Sequence, residues 1–237
     1  DFVLKTFNKY SDIYNMEKIN DRSANFYLGY DEVSILTSGI KIVLPIWEKV
    51  VEENGVEARE DFIKKFMKGY KNRPSIRQSN PTNTKPDPII DHIIKARIPK
   101  FTRKDIELIR FGHRLSMAAE NILGLILEEY IHSSAIKYGW SCCWGNSIPA
   151  VDFFSKEGKL LQIKNRSNTE NSSSNKIRKG TQIEKWYRVN ATTGTYYWEG
   201  LNEIIGKADL FSETDFILFC ETLIQNNLAA LYVEEMK

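Results

Sequence analysis

The sequence predicts an α+β or mixed α/β fold with a helical first half. Three observations lead there. Between Asp31 and Lys137, apolar residues recur at spacings of about three and four, the period of helices that bury one face. At Val151–Lys164, β-favouring residues flank a Glu157–Gly158 turn, the pattern of an antiparallel hairpin. Beyond the hairpin, a helical pattern and two β-rich runs at 215–221 and 228–234 complete the order strand, strand, helix, strand, strand.

Taken in order, residues 1–30 are aromatic-rich without a clear period. Residues 31–54 read as helical, as one element or as two broken near Gly39, on Val33, Leu36, Ile40, Val43, Leu44, Trp47 and Val50. Asn54–Gly55 is the stop signal. A second helix is expected over 57–70 on Phe62, Ile63 and Phe66. Lys64, Lys65, Lys68, Lys71, Arg73 and Arg77 follow one another without an acid, either as a solvated basic face or as a phosphate contact. Residues 74–86, dense in Pro, Asn, Ser and Thr, suggest a linker or mobile loop. Asp87–Pro88 opens a short helix through Ile89, Ile90, Ile93 and Ile94, with the acid as cap and proline in the first turn.

Thr102 caps the longest helix, over about 103–137, which Gly139 ends. Glu120, Gly124 and Glu128 lie four apart and form one stripe of it. Cys142 and Cys143 read as core, since the sequence pairs no histidine with either. After the hairpin, Thr181 is expected to cap a helix through Trp186 and Val189. Tyr196-Tyr197-Trp198 reads as core rather than as a base-stacking cluster, and a short helix follows at 198–205.

The hairpin carries the chemistry. Asp152 lies near the start of its first strand. Gln162 and Lys164 are two apart on the second strand and share one face, while Leu161 and Ile163 share the other. An acid, an amide and an ammonium on one face are poor core material, but they suit a divalent cation held beside a phosphate. The residues that follow, 165–180, are almost wholly polar. Between Lys159 and Arg188 there are eight Lys/Arg and two Glu, a local +6 in a chain of net charge +2. Such a concentration suits a polyanion.

Composition sets the remaining bounds. At 237 residues, 42% hydrophobic and 27% charged, the chain has ample material for a core. No apolar run approaches the ~18 residues of a membrane helix. The first residues show no signal-peptide pattern. Three cysteines without a CxxC pair, and three scattered histidines, argue against a structural zinc and for a reducing, cytoplasmic setting.

Asp152…Gln162-Ile163-Lys164 is similar to the PD-(D/E)XK nuclease motif, with Val151 at the proline position and Gln162 replacing the usual acid. Leu161–Ser174, with Ile177-Arg178, Gly180-Thr181 and Lys185-Trp186-Tyr187-Arg188, resembles the SinI type II restriction endonucleases, over a stretch from about Ala119 to the C-terminus. The resemblance implies a restriction-endonuclease-like core over 101–237, a central mixed sheet flanked by helices. A helical region at 1–100 would pack on that core and contribute DNA contacts or dimerisation. It further implies Mg²⁺-dependent cleavage of double-stranded DNA at a GG(A/T)CC-like site, a homodimer and a companion methyltransferase.

On that reading Asp152 bridges the Mg²⁺, Gln162 offers its side-chain carbonyl, and Lys164 holds the attacking water or stabilises charge on the phosphate. Gln162 brings no charge, so a further acid is wanted. Glu128 is preferred, with Glu120 on its stripe and Glu129 about 100° further round as alternatives. Asn165, Arg166, Asn168, Asn171, Ser173, Lys176, Arg178, Lys179 and Arg188 are the candidate DNA contacts, undivided between bases and phosphates. The alternative is a DNA-binding module that kept the scaffold and lost cleavage, with Gln162 as the symptom. Intact Asp152 and Lys164 favour the enzyme.

Overall fold

The computed structural model describes residues 38–45, 58–80, 86–148, 150–168 and 182–233. Helix α1 (Ala58–Lys71) buries Phe62, Ile63, Phe66, Met67 and Tyr70 on one face and leaves Lys65 and Lys68 exposed, as the helical period requires. Lys68 and Lys71 in its last turn complement the negative end of the helix dipole. Its inner face runs so close to the loop before the hairpin that a Cβ on Gly69 would stand 2.1 Å from the Gly145 nitrogen. Helical residues 38–45 join the same core through Ile40 and Val43. Residues 1–37 and 46–57, which include the rest of the helix expected over 31–54, lie outside the described residues.

The segment expected as a linker is packed in its first half. Pro74 and Ser75 are buried, and Asn227 Nδ2 donates to the carbonyls of Pro74 at 3.0 Å and Arg77 at 2.9 Å. Its Pro and Ser serve a buried turn, not a tether. Helix α2 (Ile89–Arg97) forms where Asp87 and Pro88 start it, the Ile89 N–H donating to Asp87 Oδ1 at 3.0 Å. None of its residues is buried, and an Asp91–Arg110 pair at 2.8 Å ties it to the next helix.

That helix, α3 (Arg103–Ala135), is 33 residues long, about 50 Å at 1.5 Å per residue. A capping box of Thr102 and Asp105 starts it. Apart from Ile106, its buried residues begin at Ile122, so only the second half enters the core. A 3₁₀ turn over Ile136–Tyr138 and Gly139 at φ 80° end it, a left-handed cap that glycine adopts without strain.

Four strands follow in a sheet of order β1-β2-β3-β4: β1 (Trp140–Cys142), β2 (Phe153–Ser155), β3 (Leu160–Arg166) and β4 (Ile183–Val189). β1–β2 and β2–β3 are antiparallel, and β3–β4 is parallel. The β2–β3 hairpin turns on Gly158 at φ 92°, as Glu157–Gly158 predicted. β1 and β3 lie against the buried half of α3.

Two expectations fail. Residues 183–189 are strand β4, not helix; Ile183, Trp186 and Val189 imitate a helical period, but the open edge of β3 supplies a parallel ladder along the strand. Residues 215–221 and, among the described residues, 228–233 are not strands. The first lies within helix α5 (Glu213–Asn226), which follows helix α4 (Trp198–Ile205), and a 3₁₀ turn occupies Leu228–Ala230. The Ser212 hydroxyl accepts from the Asp215 N–H and starts α5, while Phe216 and Leu223, seven apart, bury one stripe. Tyr130 of α3, Trp198, Phe211 and Phe216 pack together there with ring centroids 5.2–5.7 Å apart about Tyr130. The tyrosines before Trp198 stay exposed. Among the described residues, no helix is long and apolar enough to cross a membrane.

Candidate active site

Asp152 stands where β2 begins. Its N–H donates to the Leu161 carbonyl at 2.9 Å and its Oδ2 accepts from the Ile163 N–H at 2.8 Å. The carboxylate thus continues a ladder that the backbone has left, and this fixes the side chain on β3. Oδ1 has no hydrogen-bond donor among the described residues. From the other side, the Cys143 N–H donates to the Asp152 carbonyl at 2.8 Å.

Gln162 and Lys164 share a face of β3, Gln162 buried and Lys164 partly so. In the parallel register, Gln162 lies beside Lys185 and Lys164 beside Tyr187. Missing β4 in the sequence also hid these two neighbours. The alternation of Lys185 and Tyr187 against Trp186 was the available signal.

Glu128 reaches the same place from α3. Its carboxyl is raised to about 8, by burial first and then by the Asp152 charge, with Lys164 opposing both. Asp152 is likewise raised, chiefly by burial, against the Ile163 N–H and Lys164. Glu128, Asp152 and Lys164 therefore form one electrostatic unit. Glu120 is exposed. Glu129 is fully buried and turned elsewhere, its Oε1 3.1 Å from Arg73 Nε. Arg73, which sequence placed in a basic surface run, is 1% exposed and belongs to the interior. No sequence signal joins it to Glu129.

Glu128 and Asp152 are partly buried carboxyls, and the Lys164 ammonium is coupled to both. Both carboxyls hold their protons more tightly than usual, by burial first. Among the described residues, no group of three His, Cys, Asp or Glu is set to hold a metal. The donor set available is two carboxylates and the Gln162 amide, all hard oxygen ligands, which fits Mg²⁺ with water completing its shell. The cysteines do not compete. Burial raises the Cys142 and Cys143 thiols well above their ordinary range, so neither is a nucleophile at neutral pH.

The candidate DNA contacts divide. Arg166 and Asn168 are exposed at the end of β3. Asn165 and Arg188 are joined, Arg188 Nε donating to Asn165 Oδ1 at 2.9 Å, and Arg188 also pairs with Glu213 and lies 5.2 Å over Phe216. These two brace β3, β4 and α5 against one another. Asn171, Ser173, Lys176, Arg178 and Lys179 lie outside the described residues.

The SinI restriction endonuclease family model matches residues 16–226. The type II restriction enzyme Eco47I of Escherichia coli is 35% identical over 171 residues, 70% of this chain and 74% of that enzyme. The type II restriction enzyme SinI of Salmonella infantis is 37% identical over 154 residues, 63% of this chain and 66% of that enzyme. A match across most of the chain, joined to a mixed α+β fold with its hairpin site, places the protein in the SinI restriction endonuclease family.

Proposed function

We propose that this restriction endonuclease hydrolyses double-stranded DNA at a GG(A/T)CC-like site with Mg²⁺ held by Asp152, Glu128 and Gln162. The observation that carries the reading is geometric: the Asp152 carboxylate is bonded to the Ile163 N–H of β3, between Gln162 and Lys164 on that strand. Bound there, Mg²⁺ would neutralise the scissile phosphate and lower the pKa of a coordinated water. The residues do the rest. Asp152, clamped by the Ile163 N–H, keeps Oδ1 presented. Glu128 supplies the charge that Gln162 lacks. Lys164 orients the attacking water and stabilises charge developing on the phosphate oxygens.

The segment after β3 would pass beside the cut phosphate, with Arg166, Asn168, Asn171, Ser173, Lys176, Arg178 and Lys179 in reach of bases or phosphates. Cutting both strands of a near-palindromic site fits a two-fold homodimer, one such centre per strand. A companion methyltransferase would protect the host's own sites. Residues 1–100 would pack on the 101–237 core and add DNA contacts or subunit contacts.

Digestion of one long DNA of known sequence, with and without Mg²⁺, tests the reading. Discrete fragments ending at one short sequence, formed only with the metal, are expected. Tight binding of the same DNA without cleavage in any divalent metal would instead favour the binding module.

A further inference from the structure

We propose that Arg73 and Ser75 are positioning residues for the active site: they hold Glu129 so that the adjacent Glu128 carboxylate stays aimed at Asp152 and Lys164. The inference rests on the assignment of Glu128 to that site. The Glu129 carboxylate is gripped from three sides. Oε2 accepts from the Ser75 N–H at 2.9 Å, Oε1 accepts from the Ser75 hydroxyl, and Arg73 Nε lies 3.1 Å from Oε1. Arg73 is itself fixed, Nη1 donating to the Tyr70 carbonyl at 2.9 Å with the guanidinium 4.0 Å over the Tyr70 ring. Tyr70 in turn meets His132 and Trp144 edge-on, at 6.3 and 5.7 Å.

Successive residues of a helix point about 100° apart, so a fixed Glu129 also fixes the direction of Glu128. At the ~5–6 Å radius of a helix's side-chain surface, a turn of about 10° carries a carboxylate about 1 Å. A displacement of that size costs catalysis about a hundredfold. One turn beyond Glu128, His132 Nδ1 accepts from the Cys142 N–H at 3.1 Å, and the Cys143 N–H reaches the Asp152 carbonyl at 2.8 Å. A short run of buried contacts thus joins the turn after α1 to the backbone of Asp152 and to the turn of α3 that carries Glu128. Stability alone does not account for the cluster, because buried ion pairs are commonly replaced by apolar side chains at no loss. Orientation of a neighbouring functional group does account for it.

The test is the double variant Arg73→Met/Glu129→Leu, which leaves no lone buried charge, beside Ser75→Ala and Glu128→Gln. Mn²⁺ binding to the free protein is followed by electron paramagnetic resonance, with melting temperature and the Mg²⁺ dependence of plasmid cleavage measured alongside. The double variant should melt within a few degrees of wild type, bind Mn²⁺ about tenfold more weakly, and cleave about 10–100-fold more slowly. Ser75→Ala should weaken Mn²⁺ binding about two- to fivefold with the fold intact, and it decides the matter if the double variant does not fold. Wild-type Mn²⁺ binding and cleavage in a folded double variant, or in Ser75→Ala if the double variant does not fold, would overturn the proposal while Glu128→Gln remains impaired. Wild-type behaviour of Glu128→Gln would instead overturn the assignment of Glu128 on which it rests.

Discussion

Glu128 and Glu129 are neighbours on α3 and meet opposite surroundings. Glu129 enters a closed cluster in which Arg73 and Ser75 answer its charge, and it is fully buried. Glu128 is partly buried, and its carboxyl is raised to about 8, by burial first and then by the Asp152 charge, with Lys164 opposing. The first carboxylate is satisfied by the protein. The second carries a raised carboxyl, which the metal of the proposed function would complete. On that proposal, adjacent acids on one helix separate a structural function from a chemical one.

The largest effects should fall on the chemical side. Asp152→Ala and Lys164→Ala should each slow cleavage by about 10²–10⁴-fold with DNA binding largely kept, as gel-shift and plasmid assays would show. Full-rate cutting by either would dissolve the contrast, since that residue would then have no part in the chemistry. Next comes stability. Glu129→Ala removes the carboxylate that pairs with the buried Arg73, and should cost about 3–5 kcal/mol in a denaturant titration. Glu128→Gln should raise stability at pH 8, because it removes a poorly solvated charge while keeping the shape. Equal losses in the two variants would erase the distinction.

The pH dependence sharpens the same point. Glu128 binds its proton more tightly in the folded chain than at the ordinary value of 4.5. Between about pH 4.5 and 8 the unfolded chain therefore holds fewer protons, and Glu128's contribution makes stability fall as pH rises through that window. Glu128→Gln should flatten the curve there, measured by unfolding at several pH values. The smallest effects concern recognition. Arg166→Ala should weaken cognate DNA by about 1–3 kcal/mol if it reads a base, whereas a phosphate contact would reduce the salt slope by about one on every sequence. Arg188→Ala should act mainly on the melting temperature, through Glu213 and Asn165.

What could be read from sequence was local. The hairpin announced itself because its turn residues and alternation are neighbours in the chain, and Thr102 marked the start of α3 for the same reason. β4 was misread because Ile183, Trp186 and Val189 fit a helical period, while the strand exists through β3, across a segment of the chain rich in charge. α5 was misread because Phe216–Phe219 is a continuous apolar run, and the cap at Ser212 was the stronger signal. The stripe on α3 offers Glu120 and Glu128 alike, and the structure leaves Glu120 exposed. The clamp on Glu129 is not legible in the sequence, since Arg73 and Ser75 are more than fifty residues away and nothing in their sequence surroundings names a partner.

The most direct test is thermal unfolding of wild type and Glu128→Gln, with and without Mg²⁺, at pH 5.5 and pH 8.5. A ligand that binds only the folded chain raises its melting temperature, and a carboxyl that must lose its proton to take the metal makes that rise pH-dependent. Mg²⁺ should therefore stabilise wild type clearly at pH 8.5 and little at pH 5.5, with most of the gain missing in Glu128→Gln. An equal rise at both pH values and in both proteins would contradict the account, because the metal would then be binding somewhere other than the Glu128–Asp152 site.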